Sequence, residues 1–196
     1  MELLKGGDLA PYTKAGNLLP VDQAVSITAR VADALGYAHR QGVVHRDIKP
    51  ANMMYHRESD TLKVTDFGIA RLTDSSRTKT GMVLGTPSYM SPEQLAGKRI
   101  EGRSDLFSLG VTLYQLLCGR LPFEGESMAQ LMFKIASEPP TDILAVNPAL
   151  APPLVAFVER ALAKNPDERF QTGEEFGGAL RATLSATATR EGDIPL

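Results

Sequence analysis

His45-Arg46-Asp47-Ile48-Lys49-Pro50-Ala51-Asn52 is the stretch on which the reading of this chain turns. It gathers a carboxylate, two cations and an amide within eight residues. Pro50 imposes a tight turn between Asp47 and Asn52. Nineteen residues after Asp47 stands Asp66-Phe67-Gly68. Twenty-seven after Asp66 stands Glu93, which closes Gly85-Thr86-Pro87-Ser88-Tyr89-Met90-Ser91-Pro92-Glu93. Any one of these short motifs arises by chance; three in this order at workable spacings do not.

The totals exclude several classes. A chain of 196 residues suffices for one domain with a sizeable core. A net charge of −2 with no basic stripe gives no support to a nucleic-acid partner. The one cysteine, Cys118, cannot form an intrachain disulfide, which suits a reducing compartment. It lies in an apolar helical run and reads as a small buried residue. No apolar run approaches the roughly 20 residues of a membrane helix. Met1 leads into Glu2 rather than a basic leader, so no signal peptide is expected.

Together the three motifs resemble the catalytic loop, the magnesium loop and the substrate-facing segment of protein kinases. The resemblance is to the bacterial, eukaryotic-like serine/threonine type, and it implies ATP with Mg2+ (or Mn2+) and a protein substrate. Asp47 would orient the attacking hydroxyl and accept its proton. Lys49 would reach the transferred phosphate as a point charge. Asn52 and Asp66 would hold the cation through hard oxygen ligands, and Gly68 would let the backbone turn beside Asp66. Thr86 would position substrate, and with Lys49 it argues for serine or threonine over tyrosine. Ala51 and Gln115 stand where acidic residues often read basic substrates, so a strong preference for arginine-rich peptides is not expected.

The resemblance also implies structural roles. His45 would pack under Phe67 rather than catalyse, and Arg46 would pair with a phosphate on the activation segment. Residues 66–93 form that segment, and Thr78 and Thr80 are its expected phosphosites. Glu93 would pair with Arg169. Asp105, near the start of a helix over Ser104 to Leu117, would bond back to the catalytic-loop backbone and also act as a plain helix cap.

Residues 1–9 resemble the hinge between kinase lobes, with Glu2 and Leu4 as adenine contacts, Asp8 near the ribose and Met54 as the adenine floor. Val21 to Arg40 reads as an amphipathic helix, with His39 a packed or capping residue near its end. Met53-Met54-Tyr55 and Leu62-Lys63-Val64 read as a short hairpin. The proline-rich stretch from Pro139 to Pro153 reads as a surface connection without helix. Leu154 to Lys164 and Glu174 to Leu184 read as helices, and residues 185–196 as a tail or linker.

The sequence holds no GxGxxG, no VAIK-type lysine and no partner-glutamate helix. The expected fold is therefore α+β and mainly helical: a kinase C-lobe (residues 10–184) with short β-hairpins and without the N-lobe. Such a lobe would be cytoplasmic, though its parent could be membrane-tethered. Alone it would be inactive, and it would self-associate through the face the missing lobe covers. The alternative is a non-catalytic half-kinase that docks partners.

Overall fold

Val21–Arg40 forms one helix, α1, in the computed structural model, which describes residues 6–67 and 87–191, with side chains to Leu184. Asp22 lies in its first turn and His39 and Arg40 in its last, the charge order that suits the helix dipole. Its apolar face is broad: Val25, Ile27, Val31, Ala32 and Leu35 are all buried.

Before α1, among the described residues, the chain enters a sheet at Gly7–Asp8 (β1). After α1 come β2 (Met53–His56) and β3 (Thr61–Val64). The three strands form one antiparallel sheet in the order β1-β2-β3. Asp8 faces Met54 across the first pairing, and Met54 faces Lys63 across the second. At Gly6 the backbone has φ +105, and a β-carbon there would lie 2.5 Å from the Tyr55 carbonyl oxygen. Glycine is thus what lets β1 approach β2.

The rest of the described chain is mainly helical. Pro92–Leu95 (α2) is a single turn; Gly102–Cys118 (α3) is the central helix; Met128–Ser137 (α4), Ile143–Val146 (α5), Pro152–Ala161 (α6) and Gly173–Glu191 (α7) follow. Every residue of α3 from Ser104 to Leu117 is buried except Gln115. A helix buried all round must satisfy its own hydroxyls. Ser108 donates to the Ser104 and Tyr89 carbonyls, and Thr112 to the Ser108 carbonyl. Phe157, Phe170 and Phe176 make a ring cluster between α6 and α7, with centroids 4.6–5.1 Å apart.

Two expectations change. The stretch from Pro139 to Pro153 is not free of helix: Asp142 accepts a bond from the Leu144 N–H and caps α5. Pro152 and Pro153 open α6, because a proline in the first turn gives up an N–H that has no partner there anyway. The last helix also runs further than Glu174 to Leu184, reaching Glu191. Cys118 is half-buried, and burial pushes its thiol up to about 11. Among the described residues no helix is long and apolar enough to cross a membrane. The two most exposed large apolar side chains, Tyr37 and Phe133, lie on α1 and α4 rather than on the sheet.

Helices α1 and α7 approach closely through glycine. A β-carbon on Gly173 would collide with the Ala32 carbonyl oxygen and lie 2.6 Å from the Gly36 nitrogen. Backbone cannot swing aside as a side chain does. Gly173→Ala is therefore expected to destabilise the fold by about 1–3 kcal/mol, the usual cost of overpacking. Urea unfolding measures it; an unchanged midpoint would mean that α7 slides freely on α1.

Candidate active site

Asp105 is the hub of the site. It is 1% exposed, in the fourth residue of α3. Its Oδ1 accepts the Arg46 N–H at 2.7 Å, and its Oδ2 accepts the His45 N–H at 2.8 Å. Oδ2 also takes the Nε2 proton of His39, at 2.8 Å. Asp105 does not cap α3: the N-cap residue is Glu101, with no side-chain cap bond. A carboxylate this far into the helix points off the axis, here towards the loop. Gly102 leaves room for the imidazole, since a β-carbon there would lie 2.5 Å from His39 Nδ1.

His45 is fully buried and both ring nitrogens are engaged. Nδ1 accepts the Asp47 N–H at 3.3 Å, so Nε2 carries the proton given to the Thr65 carbonyl at 2.8 Å. Phe67 lies against the ring, with centroids 4.6 Å apart. The imidazole thus ties the loop at Asp47 to the strand end that leads into Asp66.

Arg46 has φ +70, a region few non-glycine residues adopt. It is held from both sides: Asp105 takes its N–H, and Gln94 Nε2 donates to its carbonyl at 3.0 Å. Gln94 belongs to a capping box with Ser91, which opens α2. Among the described residues the Arg46 guanidinium has no partner.

Asp47 is half-exposed. Its Oδ2 receives Lys49 Nζ at 2.8 Å and Asn52 Nδ2 at 3.2 Å; Asn52 Nδ2 also reaches the Asp47 carbonyl at 2.7 Å. Asn52 is buried, and its amide nitrogen is spent on Asp47. Asp66 is exposed, with φ +57 in the left-handed region. Aspartate tolerates that conformation better than most residues.

Asp8 Oδ1 accepts the Ala10 N–H at 2.8 Å and so caps its own turn, while Met54 is half-buried beside it on β2. Glu2, Leu4, Gly68, Thr78, Thr80 and Thr86 lie outside the described residues.

Behind the loop, Arg169 meets Glu93 in a two-pronged pair, at 2.8 and 3.0 Å. Ser104 adds a third bond to Glu93 at 2.7 Å. Burial alone would raise the Glu93 carboxyl; the bonds from Arg169 and Ser104 outweigh it and hold the group down at about 2. Gln115 is taken up by the Tyr89 hydroxyl at 2.6 Å. Burial of Tyr89 outweighs that bond and pushes the phenol up to about 12.

Gln94, Ser91 and Tyr89 are contributors that motif reading passes over, and so is the bond between His39 and Asp105. The Ser91-x-x-Gln94 capping box is a signal the sequence carries. Nothing local pairs His39 with a residue of α3.

The protein kinase domain family matches residues 1–176. The chain belongs to that family. It is 41% identical to the serine/threonine-protein kinase Pkn1 of Myxococcus xanthus over 99% of this chain and 29% of Pkn1. It is 41% identical to the serine/threonine-protein kinase PknB of Mycobacterium leprae over 94% of this chain and 29% of PknB. The crystal structure of the Mycobacterium tuberculosis PknI kinase domain superposes with a TM-score of 0.73 at 29% identity. That match covers 93% of this chain and 64% of the PknI chain. The chain therefore spans under a third of these two curated kinases and about two-thirds of a solved kinase domain.

Proposed function

We propose that this chain carries the catalytic machinery of a serine/threonine protein kinase. The observation that carries the reading is the arrangement at Asp47. One of its oxygens is held by Lys49 and Asn52, and Oδ1 has no partner among the described residues. That oxygen is free to orient a substrate hydroxyl and accept its proton. Lys49, one hydrogen bond away, is available to steady the transferred phosphate.

The donors suit Mg2+ or Mn2+ with ATP. Asn52 spends its nitrogen on Asp47, which leaves Oδ1 as a neutral oxygen ligand, and Asp66 offers an exposed carboxylate. Two protein oxygens are enough for a cation that completes its shell with phosphate and water. Among the described residues there is no cluster of three His, Cys, Asp or Glu that would suit a fully protein-bound metal instead. When bound, the cation neutralises charge on the phosphates.

We propose further that these residues are the larger kinase lobe, with the glycine-rich loop and its lysine supplied by a separate small lobe. Support comes from the motifs missing from the sequence and from the match to 64% of the PknI chain. Asp8 and Met54 then line the nucleotide side of the sheet, and Glu2 and Leu4 would contact adenine. Thr78 or Thr80 would take a phosphate that Arg46 pairs with. Without its cover this lobe would self-associate and bind nucleotide poorly.

The test joins the chain to the small lobe of the PknI kinase domain. Labelled γ-phosphate should enter serine or threonine, Thr78 or Thr80 among them. Asp66→Asn should cut the rate by a factor on the order of 100 or more. Equal labelling of wild type and Asp66→Asn would sink the catalytic reading. Micromolar Mg-ATP affinity for the 196-residue chain alone would sink the two-lobe reading.

A further inference from the structure

A cavity of about 580 Å3 lies at the far end of α3 from the loop that Asp105 holds. Its wall includes Tyr114 on α3, Val158 and Leu162 at α6, Pro140 on the segment joining α4 to α5, and Ile143 at the start of α5. Tyr114 lies nine positions along the helix from Asp105, about 14 Å at 1.5 Å per residue. The cavity is thus distinct from the phosphotransfer site, and its size is that of a small-molecule pocket.

The polar groups at its wall are not equally available. The Tyr114 hydroxyl donates to the Thr141 carbonyl at 3.1 Å. The Lys164 ammonium is taken up by the end of α4: it donates to the Ile135 carbonyl at 2.7 Å and the Lys134 carbonyl at 3.2 Å, and lies 3.8 Å from the centre of the Phe123 ring. Burial, with the nearby Arg169 charge, brings it down to about 8. Asp142 spends Oδ1 on the cap of α5. Glu159 is different. It is exposed on the wall and has no partner among the described residues. Two carboxylates against one committed ammonium leave the lining acidic, and its open valence is a hydrogen-bond acceptor.

We propose that this cavity is a binding site for a small amphiphilic amine, whose apolar body fills the space between Tyr114, Ile143, Val158 and Leu162 and whose ammonium pairs with Glu159. The charge of the lining decides the class. An anionic amphiphile of the same shape would meet Glu159 and Asp142 at the mouth, and the cation of the wall, Lys164, already serves backbone carbonyls.

Two fluorescent probes with the same dansyl body separate the cases: monodansylcadaverine, which ends in an amine, and dansyl-ε-aminocaproate, which ends in a carboxylate. Each is titrated into the 196-residue chain. The amine should bind saturably, with at least about fivefold higher affinity than the acid, the scale of one exposed ion pair. Glu159→Gln, at an exposed position, should remove most of that preference. Ala163→Phe, or Thr141→Trp at the exposed rim, should block the amine probe while the melting temperature stays put. Equal affinity for the two probes, no saturable binding below millimolar amine, or binding unaffected by both filling variants would each overturn the proposal.

Discussion

Arg169→Ala is expected to cost about 3–5 kcal/mol of folding stability. Arg169 is fully buried, at 1% exposure. Its five N–H groups are all committed: two to Glu93, and others to the carbonyls of Ala163, Lys164 and Arg103. The guanidinium also lies 4.7 Å from the Phe107 ring centre. Truncation strands a buried carboxylate with Ser104 as its one side-chain donor. It also opens a void beside Phe107. Arg169→Lys keeps the charge but cannot reach two carboxylate oxygens and three carbonyls at once, so it should recover only part of the loss. Urea unfolding of the three proteins decides this. A midpoint for Arg169→Ala within experimental error of wild type would show that Glu93 reaches solvent when unpaired.

The same pair fixes a pH signature. Glu93 ionises at about 2 in the folded chain against an ordinary 4.5. Between those values the unfolded chain binds a proton that the folded chain refuses, so stability falls as the pH drops through that window. Above the ordinary value both states are ionised, and the full contribution is present. In Arg169→Ala only burial and Ser104 remain, and burial raises the carboxyl. The acid-side slope should therefore shrink, and the lost stability should already be missing at neutral pH. Equal slopes for wild type and variant between pH 4.5 and 2 would remove Glu93 as the titrating group.

Some of this was legible in the sequence, for physical reasons. Helix α1 is readable from end to end because Pro20 and Gly42 bracket an apolar period, and the β2–β3 hairpin because a polar run splits two apolar ones. The stretch from Pro139 to Pro153 departs from the expected helix-free connection because proline breaks a helix only in its interior; at the first turn it is a helix starter. Motifs name the candidate side chains: Asp47, Lys49 and Asn52 stand close in sequence because they share one loop, and Asp66, beyond the β2–β3 hairpin, is marked by the Phe67 and Gly68 that follow it. The scaffold under them is hidden for the opposite reason. His39 and Asp105 are 66 residues apart, and no local pattern ties an imidazole at the end of one helix to a carboxylate in another. Likewise, the strained φ at Arg46 is stable only because Asp105 and Gln94 hold its peptide groups from two distant elements.

Asp105→Ala should therefore damage the loop more than its place outside the loop suggests. Three donors lose their acceptor together: the His45 and Arg46 N–H groups and the His39 imidazole. Each unmade buried bond costs about 1–3 kcal/mol, less than additively where the loop can relax towards water. That relaxation is what reaches the chemistry. Arg46 has no reason to stay at φ +70 without that carboxylate, and Asp47 is the next residue. A shift of about 1 Å at a catalytic group can cost a hundredfold in rate. In the two-lobe protein the variant should lose phosphotransfer by about that factor while nucleotide affinity changes little. Amide exchange separates this from general unfolding: protection should fall first at His45, Arg46 and Asp47, with α3 still protected. Asp105→Asn keeps the shape but turns an NH2 towards a donor, so it should rescue little. His39→Gln, which retains a donor near Asp105, should keep most of the activity. Uniform loss of protection across α1 and α3 in Asp105→Ala would instead make Asp105 a general core residue, with no particular claim on the loop.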